Sequence, residues 1–417
     1  MSGDSSHTRP ARSSRLKRAD RHVASAHDRT AAPGCPARSG GLSVLGDLEK
    51  ALAGGDALQP VAEAESAPLP ELAELPEEVP DGVAVVVGTS GSTGSAKRAL
   101  LTAESLVASA TSTHEVLGGP GRWLLAMPAH HVAGLQVLVR SVLAGTTPEV
   151  LDLDGGFDTG RFADVAERMA AGAERRYTAV VPTQLTRLLD DPAGIRALRS
   201  FDGVLVGGAA TSAADRERAK VAGVRVVTTY GMSETAGGCV YDGLPLPVSE
   251  VHIDNDHHIV LGGATVALGY LGRPRLTADV FAVDSDGVRW FRTDDLGAFD
   301  DDGRLEIRGR ADDLINTGGL KVAPGPVEDA IVRFVPGVLD AVVVGSPHPT
   351  WGEAVSAAVT LRRGAPTPSL RDARAALRGV VPDHALPHRL LVLDTIPQRG
   401  PGKPDRRALV AAFGETL

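Results

Sequence analysis

A chain of 417 residues, 43% of them hydrophobic and with a formal net charge of −9, is too long for one small core and suits roughly two or three domains. Its acidic balance argues against nucleic acid as the main partner, and no run of about 18 apolar residues offers a transmembrane helix. The two cysteines, Cys35 and Cys239, are too few and too far apart for a disulfide framework or a zinc site, so a reduced, cytoplasmic setting fits.

In chain order, residues 1–40 carry eight Lys/Arg against three Asp/Glu, a net of +5 inside a chain of −9. Rich in Ser, Arg, His and Ala and without apolar periodicity, they read as an unstructured extension. An Arg-rich transit segment and an over-extended translation start are the alternatives. A helical stretch at Leu42 to Leu52 precedes a Pro/Glu/Ala-rich link from Gln59 to Pro80. Val83 to Val87 is an aliphatic run suited to a buried strand, and Ala99 to Leu101 to a short returning one. Strand-like runs then follow at Trp123 to Met127, Thr178 to Val181, Gly203 to Val206 and Val224 to Thr228. Helical patterns alternate with them at Ala133 to Leu143, Arg161 to Ala171, Gln184 to Asp190 and Ala213 to Val221. That alternation predicts a layered α/β domain with a largely parallel sheet.

After Glu250 the texture changes to short strand-like pieces and turns, including Asp254 to His257, Asp284 to Gly287 and Asp300 to Gly303, which suggests a β-rich subdomain. A third section opens near Gly309. There Pro324, Val327 and Ile331 begin a helix, Val342 to Gly345 and Ala354 to Leu361 form strands, and Leu370 to Leu377 forms another helix.

Between the strands at 83–87 and 99–101 lies Gly88 to Lys97, GTSGSTGSAK. Small residues let the backbone approach an anion closely, hydroxyl and N–H groups donate to its oxygens, and Lys97 supplies compensating charge. The spacing excludes a Walker loop, because Ser95 and Ala96 separate Gly94 from Lys97. From composition alone a linker or plain hairpin remains the alternative.

Five further segments accompany this loop: MPAHHVAGL, YGMSETAGG, GYLGRPRLTADVF, RTDDLG with GRADDLI, and PGKPDRRAL. With TSGSTGSAK, in this order over roughly residues 83–410, they resemble the adenylate-forming superfamily of acyl-CoA synthetases, nonribosomal adenylation domains and luciferases. The resemblance implies an α/β protein: a large layered α/β N-terminal domain with a β-rich subdomain (41–309), then a small mobile α+β C-terminal domain (310–417), behind the 1–40 extension. It implies a carboxylic acid, ATP and CoA as small-molecule partners and Mg2+ as the metal, with no nucleic acid and no membrane span; a homodimer is compatible with it.

The same resemblance places Thr89, Ser90, Gly91, Ser92, Thr93, Gly94 and Lys97 on phosphate, Tyr230 with Gly231 on adenine, Thr235 on the α-phosphate as a catalytic group, and Glu234 on magnesium. A hard cation prefers carboxylate and phosphate oxygens, and an aromatic face suits a purine. Gly207, Gly208 and Ala209 become the small-residue wall for adenine and acyl group, with Met232 and Ser233 on the substrate side. His131 lines the junction of acyl pocket and pantetheine tunnel; a satisfied core histidine is the plainer reading. Asp295 takes the ribose hydroxyls, although Asp294 stands where Gly is usual. Arg310 becomes the ribose or phosphate contact and Asp312 the hinge. Lys403 reaches across the domain interface to the carboxylate and α-phosphate, where a mobile cation holds two anions together. Rotation then brings Gly318, Gly319 and Lys321 towards the pantetheine channel.

Within the superfamily, HHVAGLQVLVRS and NTGGLKVAP, with a shortened N-terminal subdomain, most resemble the actinobacterial o-succinylbenzoate–CoA ligases of menaquinone synthesis. Such a substrate carries a second carboxylate that needs a cation, and Arg140 is the candidate, an outward-facing Arg being the alternative. Another acyl- or aryl-CoA synthetase, or a non-catalytic nucleotide-binding protein, are the competing readings.

Overall fold

The computed structural model describes residues 13–19, 44–60, 78–89, 97–170, 172, 174–398 and 403–414. Their strands gather into four sheets. The largest runs in the order Leu244–Pro245, Gly237–Tyr241, Val226–Met232, Gly203–Val206, Arg176–Val180, Arg122–Leu125 and Glu149–Val150. It is parallel from Val226–Met232 to Glu149–Val150, and antiparallel where Gly237–Tyr241 joins. Helices cover both faces, so each strand divides its side chains between two cores. Trp123, Leu125, Tyr177 and Leu205 enter one with Leu135 and Leu138, while Leu124, Val180, Val204 and Val206 enter the other with Phe162 and Leu185.

The expected helices of this domain lie at Val132–Leu143, Thr159–Met169, Pro182–Leu189 and Ala213–Val221. Two more, Ala103–Leu117 and Pro192–Arg199, escaped the sequence reading. The first buries Ser105, Ser109, Ser112 and Thr113 beside its aliphatics, which blurs the apolar stripe. Its ends are nonetheless well marked: Thr102 Oγ1 accepts the Ser105 N–H at 3.0 Å, and Gly118 ends it at φ 97°. Pro192–Arg199 starts with Asp191 Oδ1 accepting the Ala193 N–H at 2.9 Å, and with proline in its first turn.

A second sheet orders Glu78–Pro80, Ser13–Ala19, Ala57–Pro60, Val83–Gly88 and Arg98–Thr102. Val83 to Val87 are all buried, and Val83–Gly88 pairs antiparallel with Arg98–Thr102, as the aliphatic run predicts. Ser13–Ala19 corrects the expectation of an unstructured extension: it lies parallel to Ala57–Pro60 and antiparallel to Glu78–Pro80. Backbone pairing holds a strand that is apolar only at Leu16 and Ala19, and Leu16 packs against the cluster of Val79, Val83, Val86 and Leu100.

The third sheet repeats one turn three times. Asp254, Asp284 and Asp300 each accept two backbone N–H groups on Oδ1, from residues two and four positions on, at 2.7–3.0 Å. Each closes a hairpin in which an aspartate replaces the missing ladder partner. The chain then passes through the short helical turn Ala311–Asp313 into the fourth sheet, ordered Leu320–Val322, Ile315–Thr317, Gly352–Leu361 and Val338–His348, with Arg389–Val392 parallel to Gly352–Leu361. Helices Pro324–Phe334 and Leu370–Leu377 cover it, and Arg406–Gly414 packs Leu409 and Phe413 on Val342 and Val344. Among the described residues, no helix is long and apolar enough to cross a membrane.

Gly134 sits in the first turn of Val132–Leu143, where an added Cβ would collide with the Pro128 carbonyl just ahead of His131. Gly134→Ala is expected to lower unfolding stability by about 1–3 kcal/mol. Urea denaturation checks it, and an unchanged midpoint contradicts the close approach.

Candidate active site

Adjacent parallel strands end together on one side of the large sheet, the position where open α/β sheets form their crevice. Gly203–Val206 runs into Gly207, Gly208 and Ala209, and Val226–Met232 into the turn Ser233–Thr235. Side chains are excluded where the backbones crowd: a Cβ on Gly207 would strike Thr229 Oγ1, and one on Gly231 would strike the Gly237 carbonyl. Gly208 adopts φ +87° and is exposed at the strand end with Ala209.

Glu234 is the centre of this region. It is only 7% exposed, and its Oε1 accepts the Tyr270 hydroxyl at 2.8 Å. Burial raises its pKa above the ordinary carboxylate value, against the pull of that hydrogen bond and of Lys97 and Lys403. Lys97 comes from the end of the Gly/Ser/Thr loop, with Nζ 5.4 Å from the Tyr270 ring centroid. Lys403 comes from the C-terminal tail. Burial lowers its pKa, Glu234 and Asp295 oppose that, and Arg310 adds to it. Lys403 is also close enough to His131 to disfavour its protonation, after burial and His130; together they depress His131 to about 4, which keeps the ring neutral. His131 precedes Val132–Leu143 in extended backbone, its ring 4.2 Å from that of His130.

A second constellation flanks the first. Tyr230 donates its hydroxyl to Asp295 Oδ2 at 2.8 Å, which fixes the ring. Asp295 Oδ1 receives Arg310 Nη1 at 3.5 Å, while Arg310 grips Asp312 through Nε at 2.8 Å and Nη2 at 3.0 Å and reaches Asp294 at 3.3 Å. Burial works against the Arg310 charge, but Asp312, Asp295 and Asp294 together raise its pKa. Asp294, in the place where Gly is usual, therefore leaves the Arg289–Phe299 strand continuous and adds a carboxylate to Arg310.

Arg140 points inward, excluding the outward-facing alternative. It is 3% exposed, its guanidinium carbon lies 4.9 Å from the Trp123 ring centroid, and Nη2 donates to the Tyr241 hydroxyl at 3.3 Å. Nε is buried without a hydrogen-bond partner, and among the described residues no carboxylate pairs with the group. Burial pulls its pKa down. The same buried cluster holds Thr113, 2.9 Å from the Tyr241 oxygen, and His114, which accepts the Trp123 indole N–H at 3.3 Å. Tyr241 packs towards the strand ends: a Cβ on Gly238 would lie 3.0 Å from its ring and 3.1 Å from Thr229, the neighbour of Gly207.

Residues 23–287 match the AMP-binding enzyme family, and residues 326–403 match the AMP-binding enzyme C-terminal domain. The chain belongs to the AMP-binding enzyme family. It is 43% identical, over 91% of its length and 97% of the relative's, to a probable 2-succinylbenzoate–CoA ligase of Mycobacterium tuberculosis. Among solved structures it resembles ATP-bound MatB from Rhodopseudomonas palustris at a TM-score of 0.70 and 26% identity, covering 87% of this chain and 76% of that one. It resembles o-succinylbenzoate CoA synthetase from Bacillus subtilis in complex with its acyl-adenylate intermediate at a TM-score of 0.69 and 26% identity, covering 88% and 80%. The enzyme is an AMP-forming acid–thiol ligase.

Within the motif YGMSET, Thr235 and Ser233 make different contacts. Thr235, expected on the α-phosphate, is 0% exposed, and its hydroxyl is used internally: it accepts the Met232 N–H at 3.0 Å and lies 2.8 Å from the Gly237 carbonyl. Ser233, two residues earlier, reaches the Gly88 carbonyl at 3.3 Å where the Gly/Ser/Thr loop begins. A six-residue motif does not reveal which of its Ser and Thr hydroxyls closes its own turn. Thr89 donates its N–H to Lys97 O at 2.8 Å, so both ends of the loop stand together. Ser90, Gly91, Ser92, Thr93 and Gly94 lie outside the described residues. Gly318 and Gly319 form the turn between Ile315–Thr317 and Leu320–Val322, with Gly318 donating to the Trp351 carbonyl at 2.9 Å and Lys321 exposed. Tyr270, Tyr241, Trp123 and His114 were missed. Tyr270 had a signal, a lone hydroxyl-bearing aromatic inside GYLGRPRLTADVF; the others meet Arg140 only through tertiary packing.

Cys239, beside these glycines on Gly237–Tyr241, is buried and its thiol is pushed up to about 12 by burial.

Two outcomes are expected. Thr235→Val should lower stability by about 1–3 kcal/mol through the orphaned Met232 N–H, whereas Ser233→Ala should slow adenylation with an unchanged melting temperature. Reversed effects in thermal melts and pyrophosphate exchange would restore the original assignment. His114 is depressed from 6.5 to about 4 by burial and Arg140, so on acidification the unfolded chain binds its proton first. Stability is then lost as pH falls from 6.5 towards 4. His114→Gln should lose less than wild type across that window in denaturant titrations; parallel curves count against it.

Proposed function

We propose that the enzyme converts o-succinylbenzoate, ATP and CoA to o-succinylbenzoyl-CoA, AMP and pyrophosphate, a step of menaquinone synthesis. The observation that carries the substrate is the buried Arg140, a cation packed beside Trp123 and Tyr241 with no carboxylate partner among the described residues. A buried charge left unpaired is strongly unfavourable, and a ring carboxylate supplied by the substrate relieves it. The relatives that bear this activity in their names support the same reading.

In the first half-reaction the succinyl carboxylate oxygen attacks the α-phosphorus, a new P–O bond forms, and the bond to the β-phosphate oxygen breaks to release pyrophosphate. Anionic groups converge there, and Lys97 and Lys403, both of which act on Glu234, would compensate their charge, with Ser233 as the nearby hydroxyl. Tyr230 offers its face to adenine, held in orientation by Asp295, whose carboxylate also suits a pair of ribose hydroxyls. Glu234 fits a magnesium ion: it is a buried carboxylate whose charge burial disfavours, near Lys97 and Lys403, and Mg2+ prefers carboxylate and phosphate oxygens, so this side chain would hold the ion. Bound there, the ion supplies charge neutralisation for the departing pyrophosphate.

In the second half-reaction a thiolate attacks the acyl carbon and the acyl–phosphate bond breaks, releasing AMP. The neutral His131 stands beside that carbon without adding charge to the tunnel. Rotation of the 310–417 unit about Asp312 removes Lys403 and presents Gly318, Gly319 and Lys321 to the pantetheine arm. We place the enzyme in the cytoplasm, where its acidic surface and reduced thiols are at home.

The test is AMP release with CoA and Mg-ATP on o-succinylbenzoate, benzoate, hexanoate and amino acids, in wild type and Arg140→Met. Turnover on o-succinylbenzoate is expected, with kcat/KM reduced about 100-fold or more in the variant, and benzoate affected far less. Wild-type turnover restricted to another acid removes the substrate while keeping the ligase chemistry. Equal o-succinylbenzoate turnover in both proteins removes Arg140.

A further inference from the structure

The helix Arg406–Gly414 begins three residues after Lys403, and its first side chain is tied to the segment that joins the third and fourth sheets. Arg406 Nε lies 3.2 Å from Asp313 Oδ2, and Nη1 lies 3.0 Å from Glu328 Oε1 and donates to the Val343 carbonyl at 2.6 Å. Glu328 Oε1 in turn accepts the Val343 N–H at 2.8 Å. Backbone contacts fix the approach to the helix: the Asp405 N–H donates to the Pro397 carbonyl at 2.8 Å, Asp405 Oδ1 accepts from the Ala408 N–H at 3.1 Å, and Gln398 bridges Pro404.

Asp313 follows Asp312, which chelates Arg310, which reaches Asp295. Contacts therefore run unbroken from the nucleotide-side carboxylate through residues 311–313 to the tail, and Lys403 returns to Glu234 and Asp295 through its electrostatic coupling. A lysine at the end of a long flexible stem gives little rate unless its backbone is held, because its rotamer freedom must be surrendered in the transition state. A guanidinium can hold two carboxylates and a carbonyl at once, which an ammonium on the same stem does not reproduce.

We propose that Arg406 is a positioning residue for adenylation: through Asp313 it keeps Lys403 in register with the 311–313 segment, so that the conformation of this segment decides whether the lysine can reach the reacting carboxylate. The inference rests on the role given to Lys403 above. Arg406 itself contacts no reactant.

The experiment separates the half-reactions in the full-length enzyme. Pyrophosphate–ATP exchange with o-succinylbenzoate reads adenylation, and supplied acyl-adenylate plus CoA reads thioester formation. Arg406→Gln and Asp313→Asn should each lower exchange kcat by about tenfold or more with KM for ATP within about twofold, leave thioester formation within about twofold, and be partly rescued in Arg406→Lys. Asp313→Asn keeps the Arg406–Glu328 pair, so it remains decisive if Arg406→Gln does not fold. Exchange at the wild-type rate in Asp313→Asn, or parallel loss of both half-reactions, overturns the proposal. A wild-type enzyme without exchange on any acid removes the underlying reading and this inference with it; an active wild type with unaffected variants removes this inference alone.

Discussion

A single buried carboxylate orders the active region. Glu234 interacts with the Tyr270 hydroxyl, Lys97 and Lys403, which come from three distant stretches of chain. Placing a carboxylate where water is scarce is unfavourable, and the surrounding cations and donor offset that only in part, since burial still dominates its acidity. The region is thus prepared for positive charge from outside and for phosphate on its lysines. Its backbone frame, glycines at 207 and 231 that leave no room for side chains, keeps the two strand ends close enough for one nucleotide to span them.

Arg140 presents the complementary situation. In the Glu234 region a negative group has cations around it; in the aromatic cluster a positive group has a phenol, an indole and, among the described residues, no anion paired with it. Under the proposed function, such asymmetry favours ligands that are negative at one end and apolar in the middle, and disfavours an uncharged acyl chain, which would leave the guanidinium dehydrated and unpaired. Specificity by an unsatisfied partner is more discriminating than specificity by shape.

Much of this was legible in the sequence, for reasons that differ by element. Short apolar runs around 123–125, 178–180 and 204–206, alternating with helical patterns, revealed a layered α/β domain with a largely parallel sheet, because strands covered on both faces read as near-continuous apolar runs. The aspartates at 254, 284 and 300 signalled hairpins because the turn is closed by the residue's own side chain. Ser13–Ala19 was hidden because its support is backbone pairing to strands far along the chain, and Ala103–Leu117 because serines and threonines occupy its buried face. Motif order located Glu234, Asp295, Arg310 and Lys403, but the choice between Ser233 and Thr235 depends on a turn only three residues long. The meeting of Arg140 with Trp123, Tyr241 and His114 is purely tertiary, and no spacing rule announces it.

The strand Gly237–Tyr241 carries a consequence of another kind. Cys239 lies on it between the glycine that faces Gly231 and the tyrosine that holds Arg140, and its thiol is both shielded and strongly protonated. A thiolate-seeking reagent can reach it only when this strand separates from its neighbours. The chain therefore contains its own stopwatch: the pace at which Cys239 is alkylated reports how often the floor of the catalytic crevice breathes, and any small molecule that seals the crevice should slow it.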